Sequence, residues 1–399
     1  MKKLFFLCEH PFTEHNSFKM ELDKLKEKKI KIVIIDLSQI ILGKNFSNHW
    51  KTEIEKKSLK FSSFISWFIY FIKLDKKNVI FWNNIKAFNL PSFFVELVLR
   101  VFRLKIITHL FFDIFSKTQK KSPKYIIERL MYHRLNIWPY FFFFKLKILR
   151  FILNLFPFDK IYLLSNNDKA EDKIDVSFKK IDKIGFNSYD YSNYILFKNH
   201  KTNKRKFALY IDGGGPYFSG DRLLNRTKKD TCDYDQYYGS LNSFFSKLED
   251  LYSLDVLVIP HPKYKSKNNR SLNPYFNAKK VINDYDALPK LASGCSFFIN
   301  YNSTALSFAI SANKPVILFY SSKFYKEAPS IKLSRKLMAN TLNKKAIDIC
   351  NYNLRDIKNS LRIDQKKYDQ YKYKFLTPAN KLVENTPNCE ILEKLIQRI

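Results

Sequence analysis

At 399 residues and 46% hydrophobic content, the chain is long enough for two globular domains and too apolar to be disordered. Lys and Arg number 70 against 37 Asp and Glu, and the net charge of +33 suits a nucleic acid, an anionic membrane surface or an acidic substrate. Five scattered cysteines (Cys8, Cys232, Cys295, Cys350, Cys389), without a CxxC pair, speak against a disulfide framework or a zinc site. Reduced thiols in a cytoplasmic protein are expected.

The basic start and short apolar run of residues 1–8 are too short for a signal-peptide core, so Leu4 to Cys8 reads as a buried strand. It ends at Glu9-His10-Pro11, a polar loop able to face a cleft. A helix from Phe18 to Lys28 and a strand from Ile30 to Leu37 complete a strand–helix–strand unit, the opening of a parallel α/β sheet. Further strands are predicted at 78–82, 104–108 and 160–164. The loop after Thr108 carries His109 and Asp113, which with His10 are candidate acceptor-side residues, since ligands gather at strand carboxyl ends.

The stretch from about 124 to 158 mixes the run Trp138-Pro-Tyr-Phe-Phe-Phe-Phe144 with Lys145, Lys147 and Arg150. The cations count against a spanning helix, and the composition suits one lying among lipid headgroups. A polar, turn-rich stretch from about 165 to 206 reads as the domain boundary.

A second α/β pattern follows, with strands at 207–211, 255–259, 295–300 and 315–320, and helices at 234–252, 286–292 and 303–312. The organisation expected is two domains, 1–195 and 205–375, then a helical tail at 376–399. Three loops of the second domain stand at strand ends. The first is Asp212-Gly213-Gly214-Gly215, in a chain with eight glycines in all. The second is His261-Pro262-Lys263, and the third is Asn302-Ser303-Thr304. In a parallel sheet those ends share a rim. A carboxylate at such an exit can take a proton from an attacking hydroxyl, an imidazole can stabilise a leaving phosphate, and a helix N-terminus with hydroxyls can hold one. Asp221 is a second candidate base, and Arg222 or Lys263 a candidate for binding a donor carboxylate or phosphate. Asp233-Tyr-Asp235 reads as a helix start rather than a metal motif.

An acid-Gly loop, then His-Pro, then Ser-Ser/Thr resembles the ordered signature of bacterial sialyltransferases and related enzymes that use CMP-activated nonulosonic acids or Kdo. The resemblance covers residues 207–320. It implies a GT-B fold, two Rossmann-like domains facing an inter-domain cleft, with Asp212 as base and His261, Pro262, Ser303 and Thr304 at the CMP phosphate. It further implies an inverting, metal-independent transferase acting on a surface glycan, peripheral on the inner face of the cytoplasmic membrane, with no cofactor besides its CMP-sugar substrate. This chain departs from the pattern at Ile211, where those enzymes often carry a first acid. Segment 303–317 also resembles donor-binding segments of other GT-B polysaccharide enzymes. A UDP- or CDP-linked donor is therefore the alternative, and nucleic-acid binding the alternative of another class.

Overall fold

The computed structural model describes residues 3–43, 57–76, 79–85, 89–110, 148–149, 151–153, 155–156, 159–164, 180–200, 205–213, 216, 232–261, 274–276, 280–284, 286–327 and 329–398. The chain forms two compact units. Unit 1 comprises Met1–Phe111, Leu135–Tyr189 and Thr377–Ile399, and Asp190–Leu376 belongs to unit 2.

Unit 1 holds the strands β1 (Lys3–Cys8), β2 (Lys31–Asp36), β3 (Leu59–Lys60), β4 (Val79–Asn83), β5 (Lys105–Leu110), β6 (Asp159–Leu164) and β7 (Lys180–Gly185). They lie in the order β3-β2-β1-β4-β5-β6-β7, and every pairing is parallel. β1 from Leu4 to Cys8 and β4 from Val79 to Trp82 are continuous apolar runs, as suits a parallel sheet covered on both faces. The order reverses between β1 and β4, which makes their exits the switch point of the unit.

Unit 2 repeats the plan with β8 (Phe207–Ile211), β9 (Asp255–Ile259), β10 (Lys280–Val281), β11 (Phe298–Asn300), β12 (Val316–Tyr320) and β13 (Ile347–Asp348). The order is β10-β9-β8-β11-β12-β13, again parallel, with the switch point between β8 and β11. Alternate residues serve two core layers. Leu209, Ile211, Leu257 and Phe298 pack on one side of the sheet, and Tyr210, Val258, Ile299 and Phe319 on the other. Both units are thus doubly wound and Rossmann-like, in the strand order 3-2-1-4-5-6 of that fold.

The structure adds to or departs from the sequence reading at four points. The single helix at 18–28 is two, Glu14–Lys19 and Leu22–Glu27, broken where Glu21 takes a φ of 56°. Its buried carboxylate accepts the backbone N–H of Cys389 at 2.8 Å, a long-range bond that local periodicity cannot reveal. The polar stretch at 165–206 does hold a unit boundary, between Tyr189 and Asp190, but it also contains edge strand β7 and the helix Tyr189–Phe197. The presumed tail packs into unit 1: Lys28 pairs with Glu393 at 2.8 Å, and Asn388 exchanges hydrogen bonds with the Asn187 backbone at 3.0 Å. The short strands β3, β10 and β13 were also not foreseen, since two residues carry no readable period.

Candidate functional site at the unit 2 switch point

β8 and β11 run side by side, with Ile211 opposite Asn300, and β9 lies on the other flank of β8 with Ile259 opposite Ile211. One residue beyond the pairing, the Asp212 N–H donates to the Ile259 carbonyl at 3.0 Å. The exits carrying Asp212, His261 and Ser303 therefore lie on one rim. Gly213 turns directly against the third loop: a Cβ placed on it would stand 3.5 Å from the Ser303 nitrogen and 3.6 Å from the Asn302 carbonyl carbon. A Cβ at those distances makes ordinary van der Waals contact and no positive φ is involved, so a methyl group fits at 213 and only a longer side chain would fill the space beside the loop. Asp212 is 2% exposed, whereas His261 and Ser303 are half-buried and Thr304 exposed.

The Asn302-Ser303 loop is held rigidly. Asn300, fully buried, accepts the Ser303 N–H at 3.1 Å and donates to its carbonyl at 3.2 Å. The Ser303 hydroxyl caps the next turn by accepting the Ala305 N–H at 3.3 Å. The helix expected at 303–312 is a 3-10 turn, Thr304–Leu306, leading into a short α-helix, Ser307–Ser311. Asn302 accepts the Ser334 hydroxyl at 2.6 Å. Beside it, Arg335 binds Glu327 through two bonds of 2.9 and 2.6 Å, and the Tyr301 hydroxyl donates to Glu327 at 3.0 Å. The Arg335 guanidinium also covers the Tyr320 ring at 4.4 Å. Burial first, and then Tyr325 and Glu327, push the Tyr301 phenol well up, so it stays a neutral donor. Burial first, and then Tyr238, Cys232, Tyr325 and Asp212, push the Tyr237 phenol well up, so it also stays neutral.

Sequence reasoning missed Asn300, Glu327, Ser334 and Arg335. Glu327 and Arg335 are eight positions apart across a helix start at Pro329, a spacing with no signature. Asp233 caps its helix by accepting the Gln236 N–H, and Asp235 accepts the Tyr275 hydroxyl, as suits a helix start. Gly214, Gly215, Asp221, Arg222, Pro262 and Lys263 lie outside the described residues, as does Asp113. Among the described residues no group of three His, Cys, Asp or Glu side chains is placed to hold a metal ion.

Of the acceptor-side candidates in unit 1, His10 stands at the β1 exit with its Nε2 3.6 Å from the buried Glu9 carboxylate. His109 is not in a loop. It is a buried residue of β5, wedged edge-on between the rings of Phe186 and Tyr189, because the strand runs two residues beyond its predicted end.

No protein-family model matches the sequence, and comparison with curated proteins finds no match. Similar solved structures exist. MurG of Acinetobacter baumannii aligns over 100% of both chains at 8% identity and a TM-score of 0.42. The Streptomyces sp. SF2575 glycosyltransferase SsfS6, complexed with thymidine diphosphate, also covers 100% of both, at 8% and 0.39. The S. aureus MnaA–UDP structure covers 98% of this chain and 92% of its own, at 13% and 0.41. The fold assignment rests on the two parallel sheets and their strand order, which are the make-up of a GT-B chain. The chemistry rests on the residues above.

Proposed function

We propose that the chain is a GT-B glycosyltransferase that takes its sugar from a nucleotide donor bound at the β8–β11 switch point. The observation that carries this reading is the packing of Gly213 on Asn302-Ser303 with Asp212 and His261 on the same rim. A loop stripped of side chains leaves room for phosphate and sugar. The Ser303 hydroxyl retains its proton for a phosphate oxygen while its oxygen caps the turn. Asp212 takes the acceptor hydroxyl proton, the freed oxygen attacks the anomeric carbon, and the bond to the leaving phosphate breaks with its electron pair going to the nucleotide. His261 stabilises that departing charge, and attack opposite the leaving group inverts the centre. Residues Asn302, Ser303 and Thr304, with Pro262 and Lys263, form the phosphate side of the reading.

A diphosphate-linked donor, UDP or CDP, stands ahead of CMP-nonulosonic acid. The position where CMP-dependent enzymes often carry their first acid is Ile211, which is buried in the hydrophobic core. The acceptor is a surface glycan at the inner face of the cytoplasmic membrane. A thermal-shift series with UDP, CDP, thymidine diphosphate and CMP tests the reading, since a ligand of the native state raises Tm. Transfer assays with sugars of the stabilising nucleotide follow. No shift with any nucleotide, together with steeply salt-dependent binding to DNA or RNA, would replace the enzyme with a nucleic-acid-binding protein.

A further inference from the structure

We propose that an outer face of unit 1, built from the helices Phe64–Lys73 and Leu90–Val101 and the short segments 148–149, 151–153 and 155–156, docks on an anionic lipid bilayer. The helix Phe64–Lys73 is apolar on two opposite faces, with Ser66, Tyr70 and Lys73 along one flank. Trp67 and Phe71 are fully buried against the unit, while Ile65 is 70%, Ile69 49% and Ile72 50% exposed on the opposite side. Those three positions are spaced i, i+4, i+7, a complete second stripe facing away from the core. The neighbouring helix repeats this. Phe93, Val95 and Leu99 face inward, and Leu90, Phe94 and Val101 outward. Ring contacts join the two helices, Phe64 to Phe94 at 5.8 Å and Phe71 to Phe102 at 5.2 Å.

The third element is clamped to the second. Leu149 and Leu153 pack on Phe93, and Arg100 donates to the Leu153 carbonyl at 2.7 Å. Its outer residues are Ile148, Phe151 and Leu155, with Phe151 66% exposed. Single exposed apolar residues are ordinary, but adjoining stripes on three neighbouring elements mark an interaction surface. Ten helical residues extend about 15 Å against a hydrocarbon core of about 30 Å, so the helix can lie in a membrane surface and cannot cross it. Among the described residues no helix is long and apolar enough to cross a membrane.

Charge selects the occupant. Lys73 ends the first helix, Arg103 follows Phe102 directly, and Lys76 lies over the Phe71 and Phe102 rings at 5.1 and 5.0 Å. Of the acids nearby, Glu96 is tied to Arg100 at 3.0 Å, and Asp75 sits in the turn beside Lys76. Apolar stripes with cations on aliphatic stems fit acyl chains below and lipid phosphates above. A second copy of the same face would bring like charges together across a twofold axis. Of the basic, aromatic stretch at about 124–158 that the sequence singled out, the surface includes 148–149, 151–153 and 155–156, and the remainder lies outside the described residues. It is independent of the transfer chemistry and can be tested without any activity.

The test is sedimentation of the full chain with phosphatidylcholine vesicles and with vesicles in which about a third of the lipid is phosphatidylglycerol. The expected result is strong, salt-sensitive binding to the anionic vesicles and weaker binding to the neutral ones. Ile69→Glu combined with Phe151→Glu should lower anionic-vesicle binding at least about tenfold. Lys73→Gln with Arg103→Gln should lower it about tenfold on anionic vesicles and leave neutral vesicles unaffected. All four side chains are exposed, so Tm should hold, and Ile69→Ser with Phe151→Ser gives the same readout should the charged pair fail to fold. Wild-type protein that ignores anionic vesicles would overturn the proposal, as would an Ile69/Phe151 variant that binds like wild type. So would a lipid-free dimer that Ile69→Glu dissolves.

Discussion

Gly213 lies so close to Ser303 that a methyl group built on it would be 3.5 Å from the Ser303 nitrogen. That is ordinary van der Waals contact, so Gly213→Ala should fold with stability within about 1 kcal/mol of wild type. Gly213→Leu must place further carbons where donor phosphate is proposed to lie. It should keep most of its Tm yet lose the nucleotide-induced shift. A Leu variant stabilised by nucleotide as fully as wild type would move the donor site away from this loop.

Asp212 is buried at the end of β8, its backbone tied to β9 through Ile259. If its carboxylate takes the acceptor proton, Asp212→Asn should reduce turnover by about 10²- to 10⁴-fold while leaving the nucleotide-induced Tm shift in place. Turnover within about tenfold of wild type, a barrier change of roughly 1.4 kcal/mol, would reject the base role.

Behind the third loop, Glu327 is shared by Arg335 and Tyr301. Removing one partner of a buried ion pair strands the other, at a cost of about 3–5 kcal/mol. Arg335→Met should therefore destabilise unit 2 by roughly that amount in urea unfolding. Ser334→Ala removes only the bond to Asn302, at about 1 kcal/mol. Its effect should appear as a raised KM for the donor with kcat nearly kept, because the loop it steadies is proposed to bind donor.

The long elements were legible because their signals are local. Helix Tyr234–Tyr252 shows a 3.6-residue period, and β8, β9 and β11 are apolar runs ended by loop residues, so the sequence pattern alone puts their three exits on one rim. What escaped was set by partners distant in sequence. Glu21 leaves helical geometry to reach Cys389, and His109 is drawn into the core by Phe186 and Tyr189. The clamp on Asn302 comes from a residue 32 positions on. The second stripe of Phe64–Lys73 was masked by the first, since a helix apolar on both faces reads as a core helix until the structure shows which face is covered.

Alkaline pH should weaken the fold through its buried thiols. Cys295, 1% exposed, has its thiol pushed up to about 12, by burial against smaller opposing effects of Lys314 and a backbone hydrogen bond. Cys389 in unit 1 is also pushed up to about 12, by burial and then by Glu21. The ordinary value is 9.0, so below it both states keep the proton and the thiols add no pH dependence. Above it the unfolded chain ionises first and the native state is progressively disfavoured, with the effect running its course between about 9 and 12. One unit above the unfolded value, the Cys295 thiol should cost about 1.4 kcal/mol, and the Cys389 thiol, which solvent screens more, should cost less. Urea unfolding followed from pH 8.5 upward (about half a unit below the onset) should show this decline, and Cys295→Ala should flatten it for unit 2 alone. An unchanged slope in that variant would assign the alkaline loss to the buried tyrosines, Tyr237 and Tyr301, whose phenols are raised by the same desolvation.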